Sequence, residues 1–243
     1  MRLLGVTLAA LVTALATGLG ALPFAFGTFG RRWLGVANAL AAGFMLSASG
    51  LLVIEGVIRG WWQTLAGAVV GAGFIFVSHR LLSDQEVEFG SLRGADATKA
   101  LLIVAVMTIH SFSEGVGVGV AYGGGAELGL FITIAIAIHN IPEGLAISLV
   151  LVPRGASVRS AAGWSIFSSL PQPLVAAPAF LFVEAFRPFL PAGFGFAGGA
   201  MIWLVFAELL PEARAELRLP RLALWLGGSL LAMSALQLAL LGR

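Results

Sequence analysis

The chain has 243 residues, of which 59% are hydrophobic and only 11% charged, with a mean hydropathy of +0.98. A soluble domain carries roughly a quarter charged residues, so the composition excludes one, and the net charge of +2 is read as loop arginines rather than a nucleic-acid surface. There is no cysteine, which rules out disulfides and thiolate metal sites.

Stretches of about 20 apolar residues recur from end to end, each long enough to cross a bilayer as a helix. They predict an all-α integral membrane protein, a single polytopic domain over 1–243, in which eight transmembrane helices form a bundle. The predicted spans are 3–26, 33–58, 62–82, 98–122, 127–151, 160–183, 189–210 and 220–241. Short connections with turn residues separate them: Gly30-Arg31-Arg32, Gly60, Gly123-Gly124-Gly125, Pro153-Arg154-Gly155, Arg187-Pro188 and Pro220. With the N-terminus outside, the inner loops hold Arg31, Arg32, Arg80, Arg93, Lys99, Arg154, Arg159, Arg214, Arg218 and Arg221. The outer side then holds only Arg2, Arg59, Arg187 and Arg243. Positive charge concentrates on the cytoplasmic face, so both termini are expected outside.

The first span resembles a secretory signal in its Arg2, its apolar stretch and its Ala14-Leu15-Ala16. Hydrophobicity continues to Phe29, however, and Arg31-Arg32 follows rather than precedes it, which argues for a retained helix. On the second span, Asn38, Ser47 and Ser49 read as packing residues. Glu55, near its outer end, is either an entrance ligand for cations or half of an ordinary i,i+4 pair with Arg59. Gly67-xxx-Gly71 and Gly115-xxx-Gly119 permit close helix approach. His79, at the inner end of the third span, has no carboxylate at i+4 and reads as interfacial. The segment 83–97 is the one appreciable polar loop, read as a solvated inner connector.

The fourth and fifth spans carry the chemistry. His110-Ser-Phe-Ser-Glu114-Gly115 is followed by His139-Asn140-Ile-Pro142-Glu143-Gly144, so each span holds a histidine and a glutamate at i and i+4. On a helix such a pair shares one face, with Cβ atoms about 5–6 Å apart. Glycines 123–125 make the two spans an antiparallel hairpin. The midpoints between the two histidines and between the two glutamates fall in or just after that turn. The four side chains therefore lie within about one or two helical turns of a common depth. Pro142 supplies no N–H and leaves a carbonyl to be satisfied by a polar cavity.

A charged carboxylate at the bilayer centre costs about 2.5–3.5 kcal/mol, so two cost roughly 5–7 kcal/mol. Two glutamates and one dication sum to zero, and two neutral imidazoles complete a near-tetrahedral shell suited to Zn²⁺. Metal loading displaces protons from such ligands, so transport is expected to depend on pH. Nitrogen and oxygen donors also admit Fe²⁺, Mn²⁺, Co²⁺ and Cd²⁺.

These residues resemble the ZIP family of divalent metal transporters, whose fourth helix carries a His-Asn-x-Pro-Glu-Gly type motif and whose fifth carries a related one. The resemblance extends over Leu19-Gly20-Ala21-Leu22-Pro23, Ala41-Ala42-Gly43-Phe44-Met45, and Gly199-Ala200-Met201 through Glu208-Leu-Leu-Pro211-Glu212. It implies a primary metal site at His110, Glu114, His139 and Glu143. The second, adjoining site of two-metal members falls here on Ser111, Asn140 and Gln172, all neutral, so one metal per site is expected. Ser113 replaces a customary proline. The resemblance further implies a cytoplasmic exit route near Glu208, although Ala207 stands where some members have a metal-binding histidine. Glu212, four residues from Glu208 around Pro211, is a second candidate for that exit or, like Glu208, an interfacial carboxylate near Arg214 and Arg218.

The expected function is carriage of divalent metal, principally Zn²⁺ toward the cytoplasm, by alternating access without ATP. No Gly-x-x-x-x-Gly-Lys-Ser/Thr loop is present. The expected setting is the cell (inner) membrane as a multi-pass homodimer, with lipid and metal ions as partners, no nucleic acid and no catalytic cofactor. Two alternatives stay open. An intramembrane zinc hydrolase would need a general base, yet His-Glu-x-x-His is absent and all four groups are ligands. A channel-like pore would lack alternating access.

Overall fold

The computed structural model describes residues 2–83 and 95–242, with side chains over 3–81 and 104–242. Arg93 and most of the polar connector read at 83–97 lie outside the described residues, as do the side chains of Arg2, Lys99 and Arg243. Every described element is helical: α1 (Arg2–Leu19), α2 (Arg32–Ser83), α3 (Ala95–Gly124), α4 (Ala126–Leu151), α5 (Val158–Ser169), α6 (Pro171–Ala185), α7 (Leu190–Leu204), α8 (Leu210–Glu216) and α9 (Leu219–Leu241). Helices are the expected solution for apolar chain in lipid, because each satisfies its own backbone polar groups. Among the described residues, seven helical segments are long and apolar enough to cross a membrane. The outward faces agree: Leu4, Ile58, Trp61, Val69, Leu174, Leu224 and Leu231 are each more than 60% exposed, a surface that water would not tolerate.

One of the seven segments, Arg32–Leu81, is 50 residues long, more than twice the roughly 20 that span a bilayer. It doubles back at Gly60, the turn expected from sequence, where φ 176 and ψ 90 leave the helical region. A Cβ on Gly56 would meet the side chain of Thr64. In an unbroken helix residues eight apart would be about 12 Å apart. Helix α7 packs on both arms, with Gly198 against Ser49 and Val53 on the first and Gly195 against Thr64 and Ala68 on the second.

Three boundaries differ from the sequence reading. Helix α3 already includes Ala95, ahead of the predicted start at 98. The sixth predicted span is two helices, α5 and α6, meeting at Leu170, because Pro171 lacks the N–H that would carry the ladder through. The seventh predicted span, ended at 210 from sequence, continues to Glu216 through a π-helical turn over Val205–Leu209. Pro211 withholds one backbone donor there, and the helix widens in the turn before it.

Between α3 and α4 the connection is the single residue Gly125, at φ 149. Only glycine adopts that conformation freely, and so short a link forces the antiparallel pairing that aligns the two motifs. The main core lies around this hairpin: Phe131, Ile132 and Ile136 of α4 pack with Met45 and Leu52 of α2 and with Phe194 and Met201 of α7.

Candidate metal centre

Helix α3 brings His110 and Glu114, and helix α4 brings His139 and Glu143, to one buried point. One ligand atom from each lies within 4.8 Å of all the others, and none of the four residues is more than 3% exposed. Glu114 Oε1 sits 3.2 Å from His110 Nε2 and 2.5 Å from His139 Nε2. Glu143 Oε1 sits 3.0 Å from His110 Nε2. These spacings approach the edge of a tetrahedron with metal–ligand bonds of about 2.0–2.1 Å, which is roughly 3.3 Å.

How these contacts are made matters more than their lengths. His139 Nε2 and Glu114 Oε1 form a hydrogen bond. His110 Nε2 and Glu143 Oε1, despite the short separation, satisfy no hydrogen bond, and neither do His110 Nδ1 and His139 Nδ1. Buried polar atoms are ordinarily satisfied. A ring nitrogen and a carboxylate oxygen 3.0 Å apart in a buried site are placed as two ligands of one ion would be. That arrangement accommodates a cation. Electrostatics points the same way: two carboxylates stand in an apolar bundle, and a dication neutralises both.

Of the neutral residues expected beside this cluster, Gln172 and Asn140 are hydrogen-bonded through their amide nitrogens, while Asn140 Oδ1 has no partner. Gln172 Nε2 donates to Glu114 Oε2 at 2.5 Å, and Asn140 Nδ2 donates to the Thr13 carbonyl at 2.8 Å and to Gln172 Oε1 at 3.3 Å. Ser111 is buried beside His110 in sequence but is not among the cluster's hydrogen-bond partners. The Ser113 hydroxyl returns a bond of 2.8 Å to the His110 carbonyl.

Outside the centre, His79, which has no carboxylate at i+4, meets one from another helix. Its Nε2 lies 3.3 Å from Glu208 Oε1, across helices that sequence spacing could not relate. Glu212, expected near Arg214 and Arg218, instead accepts a hydrogen bond of 2.7 Å from Asn38 Nδ2, so Asn38 does more than fill space. Glu55 is 2% exposed and ion-paired with Arg59, whose guanidinium lies over the Phe194 ring. Sequence reasoning missed Thr13 altogether. The signal was slight: Thr13 and Thr17, four apart, put two hydroxyls on one face of an apolar helix.

Residues 83–238 match the family model for ZIP zinc transporters. A protein of Arabidopsis thaliana named as a candidate zinc transporter is 50% identical over 217 residues, 87% of this chain but 35% of that protein. The chain therefore spans about a third of that relative's length. The zinc transporter GufA of Myxococcus xanthus is 34% identical over 221 residues, covering 84% of this chain and 87% of GufA. The zinc transporter ZIP11 of Xenopus tropicalis is 33% identical over 129 residues, 50% of this chain and 38% of the relative.

Proposed function

Since this chain belongs to the ZIP zinc transporter family, we propose that it carries divalent metal cations across a membrane through His110, Glu114, His139 and Glu143, with Zn²⁺ as principal cargo. The observation that carries this reading is the convergence of two imidazoles and two carboxylates, buried in an apolar helical bundle with one ligand atom from each within 4.8 Å of the others. The donor set is two nitrogens and two oxygens without thiolate, suited to Zn²⁺ and open to Fe²⁺, Mn²⁺, Co²⁺ and Cd²⁺. One ion occupies the centre. Asn140 and Gln172 bring no charge, and a second dication would leave about two positive charges uncompensated in a low-dielectric site.

In this reading the chain crosses the membrane eight times, α2 counting twice, with both termini outside. The cargo moves by alternating access. Two units of helices support that motion. Within one, α1 meets α4 at Gly20 and Gly144, and α3 meets α6 at Gly115 and Gly119, with backbone against backbone. Within the other, α7 meets α2 in the same manner at Gly195 and Gly199. At glycines that face across the units the neighbours are side chains, as at Gly117 against Ala197, Leu52 and Met201 and at Gly193 against Val120. An apolar cleft of about 360 Å³ also separates them, lined by Val70, Val116, Val120, Ala179, Phe182 and Phe196. Backbone-to-backbone packing makes stiff units, whereas side-chain contacts can be exchanged as one unit slides on the other. His79 and Glu208, beside a void of about 10 Å³, mark the inner exit. We place the chain as a homodimer in the cell (inner) membrane by the family resemblance.

The test is zinc uptake by the purified chain in liposomes. Uptake should saturate, and zinc preloaded inside should accelerate entry of labelled zinc, as an alternating carrier requires. Linear uptake without counterflow would make the centre a pore, and cleavage of a membrane substrate would make it a hydrolase.

A further inference from the structure

We propose that Thr13 of α1 is a positioning residue of the metal centre: acting through Gln172, it fixes which oxygen of Glu114 faces the cargo ion. This rests on the carrier reading above and adds a helix to the site that neither histidine–glutamate motif contains.

The polarity of the network can be read outward from one fixed point. The Thr13 backbone carbonyl accepts only, so the Asn140 group 2.8 Å from it is the amide nitrogen. That same nitrogen faces Gln172 at 3.3 Å, so Gln172 turns its oxygen toward Asn140. Its nitrogen must then face Glu114 Oε2, which it reaches at 2.5 Å. Glu114 Oε2 is thereby occupied, and Oε1 alone is left to the two imidazoles. The short contact that keeps Gln172 in this pose is the Thr13 hydroxyl, 2.5 Å from Gln172 Oε1. Its one proton is otherwise within reach only of the Ala10 carbonyl at 2.7 Å.

Thr13, Asn140, Gln172 and Glu114 are all 0% exposed, so no bulk water replaces a lost partner. Valine at position 13 keeps the shape of threonine and removes the hydroxyl. Gln172 Oε1 would then be held by the long Asn140 contact alone, and Gln172, less firmly anchored, would let Glu114 turn either oxygen, or both, toward the ion. Capture depends on that presentation. The sliding of helices that follows capture does not.

The experiment measures zinc uptake in proteoliposomes, normalised to folded protein, across zinc concentration. Thr13→Val should raise the apparent KM about tenfold, the order of losing one hydrogen bond at a buried site, with the maximal rate within about twofold. Thr13→Ser, which keeps the hydroxyl, should return KM to within about twofold of the wild type. In a Gln172→Leu background Thr13→Val should add less than about twofold, because the two act in series. If Thr13→Val gives no folded protein, Thr13→Ala, which adds no bulk, carries the same expectation. An unchanged KM, a loss confined to the amount of folded protein, or an undiminished effect without Gln172 would overturn the inference. Absence of saturable zinc uptake in the wild type would instead remove the carrier reading.

Discussion

Glu143→Ala should lower zinc uptake per folded molecule at least about a hundredfold. With both carboxylates present, a dication at the centre is neutral overall. With one removed, the loaded centre keeps about one positive charge in an apolar bundle and loses a ligand that stands 3.0 Å from His110 Nε2. Breaking one member out of a buried charge set costs about 3–5 kcal/mol, and each 1.4 kcal/mol is a factor of about ten. The substituted chain should still elute as the wild type does in detergent, because Glu143 belongs to the polar cluster and not to the apolar core that holds the helices together. Uptake of Glu143→Ala within about threefold of the wild type would show that this carboxylate does not bind the cargo.

The second large effect is on stability. Gly144→Ala should lower the apparent melting temperature in detergent sharply. A Cβ at Gly144 would overlap the Thr17 carbonyl, and one at Gly20 would overlap the backbone of Gly144 and Leu145. Helices α1 and α4 thus touch main chain to main chain. Overpacking a core usually costs about 1–3 kcal/mol because side chains can move aside. Here no flexible atom can yield, so the cost should exceed that range. Parting the two helices would also draw Thr13 away from Asn140. Gly163→Ala is the control, since nothing lies within 4 Å of a Cβ there and alanine favours a helix. Equal melting of the two variants would refute this packing.

The centre was legible from sequence because its signal is local. A histidine and a glutamate at i and i+4 share a helix face whatever the surroundings, and the Gly123-Gly124-Gly125 turn fixes the register of the two copies. The break at Gly60 was legible for the same reason, since a hydrophobic stretch far longer than a bilayer must fold back. What could not be read depends on contacts between distant segments. His79 and Glu208 are 129 positions apart, and only the packing of α2 against the seventh predicted span brings them to 3.3 Å. The Asn38–Glu212 bond is hidden in the same way, while the π turn before Pro211 leaves no periodicity to detect. Thr13 is the sharpest omission. A hydroxyl on an apolar helix usually bonds its own backbone, as Thr7 does, and only the four-residue spacing to Thr17 sets Thr13 apart from it.

The account rests on four side chains sharing one ion. X-ray absorption at the zinc edge, on the zinc-loaded chain with the metal content measured on the same sample, reads those ligands directly. It should show one zinc per chain, bound by four light atoms at about 2.0–2.2 Å, with multiple scattering from two imidazoles. Zinc without histidine in its shell, or two fully occupied ions per chain, would contradict it.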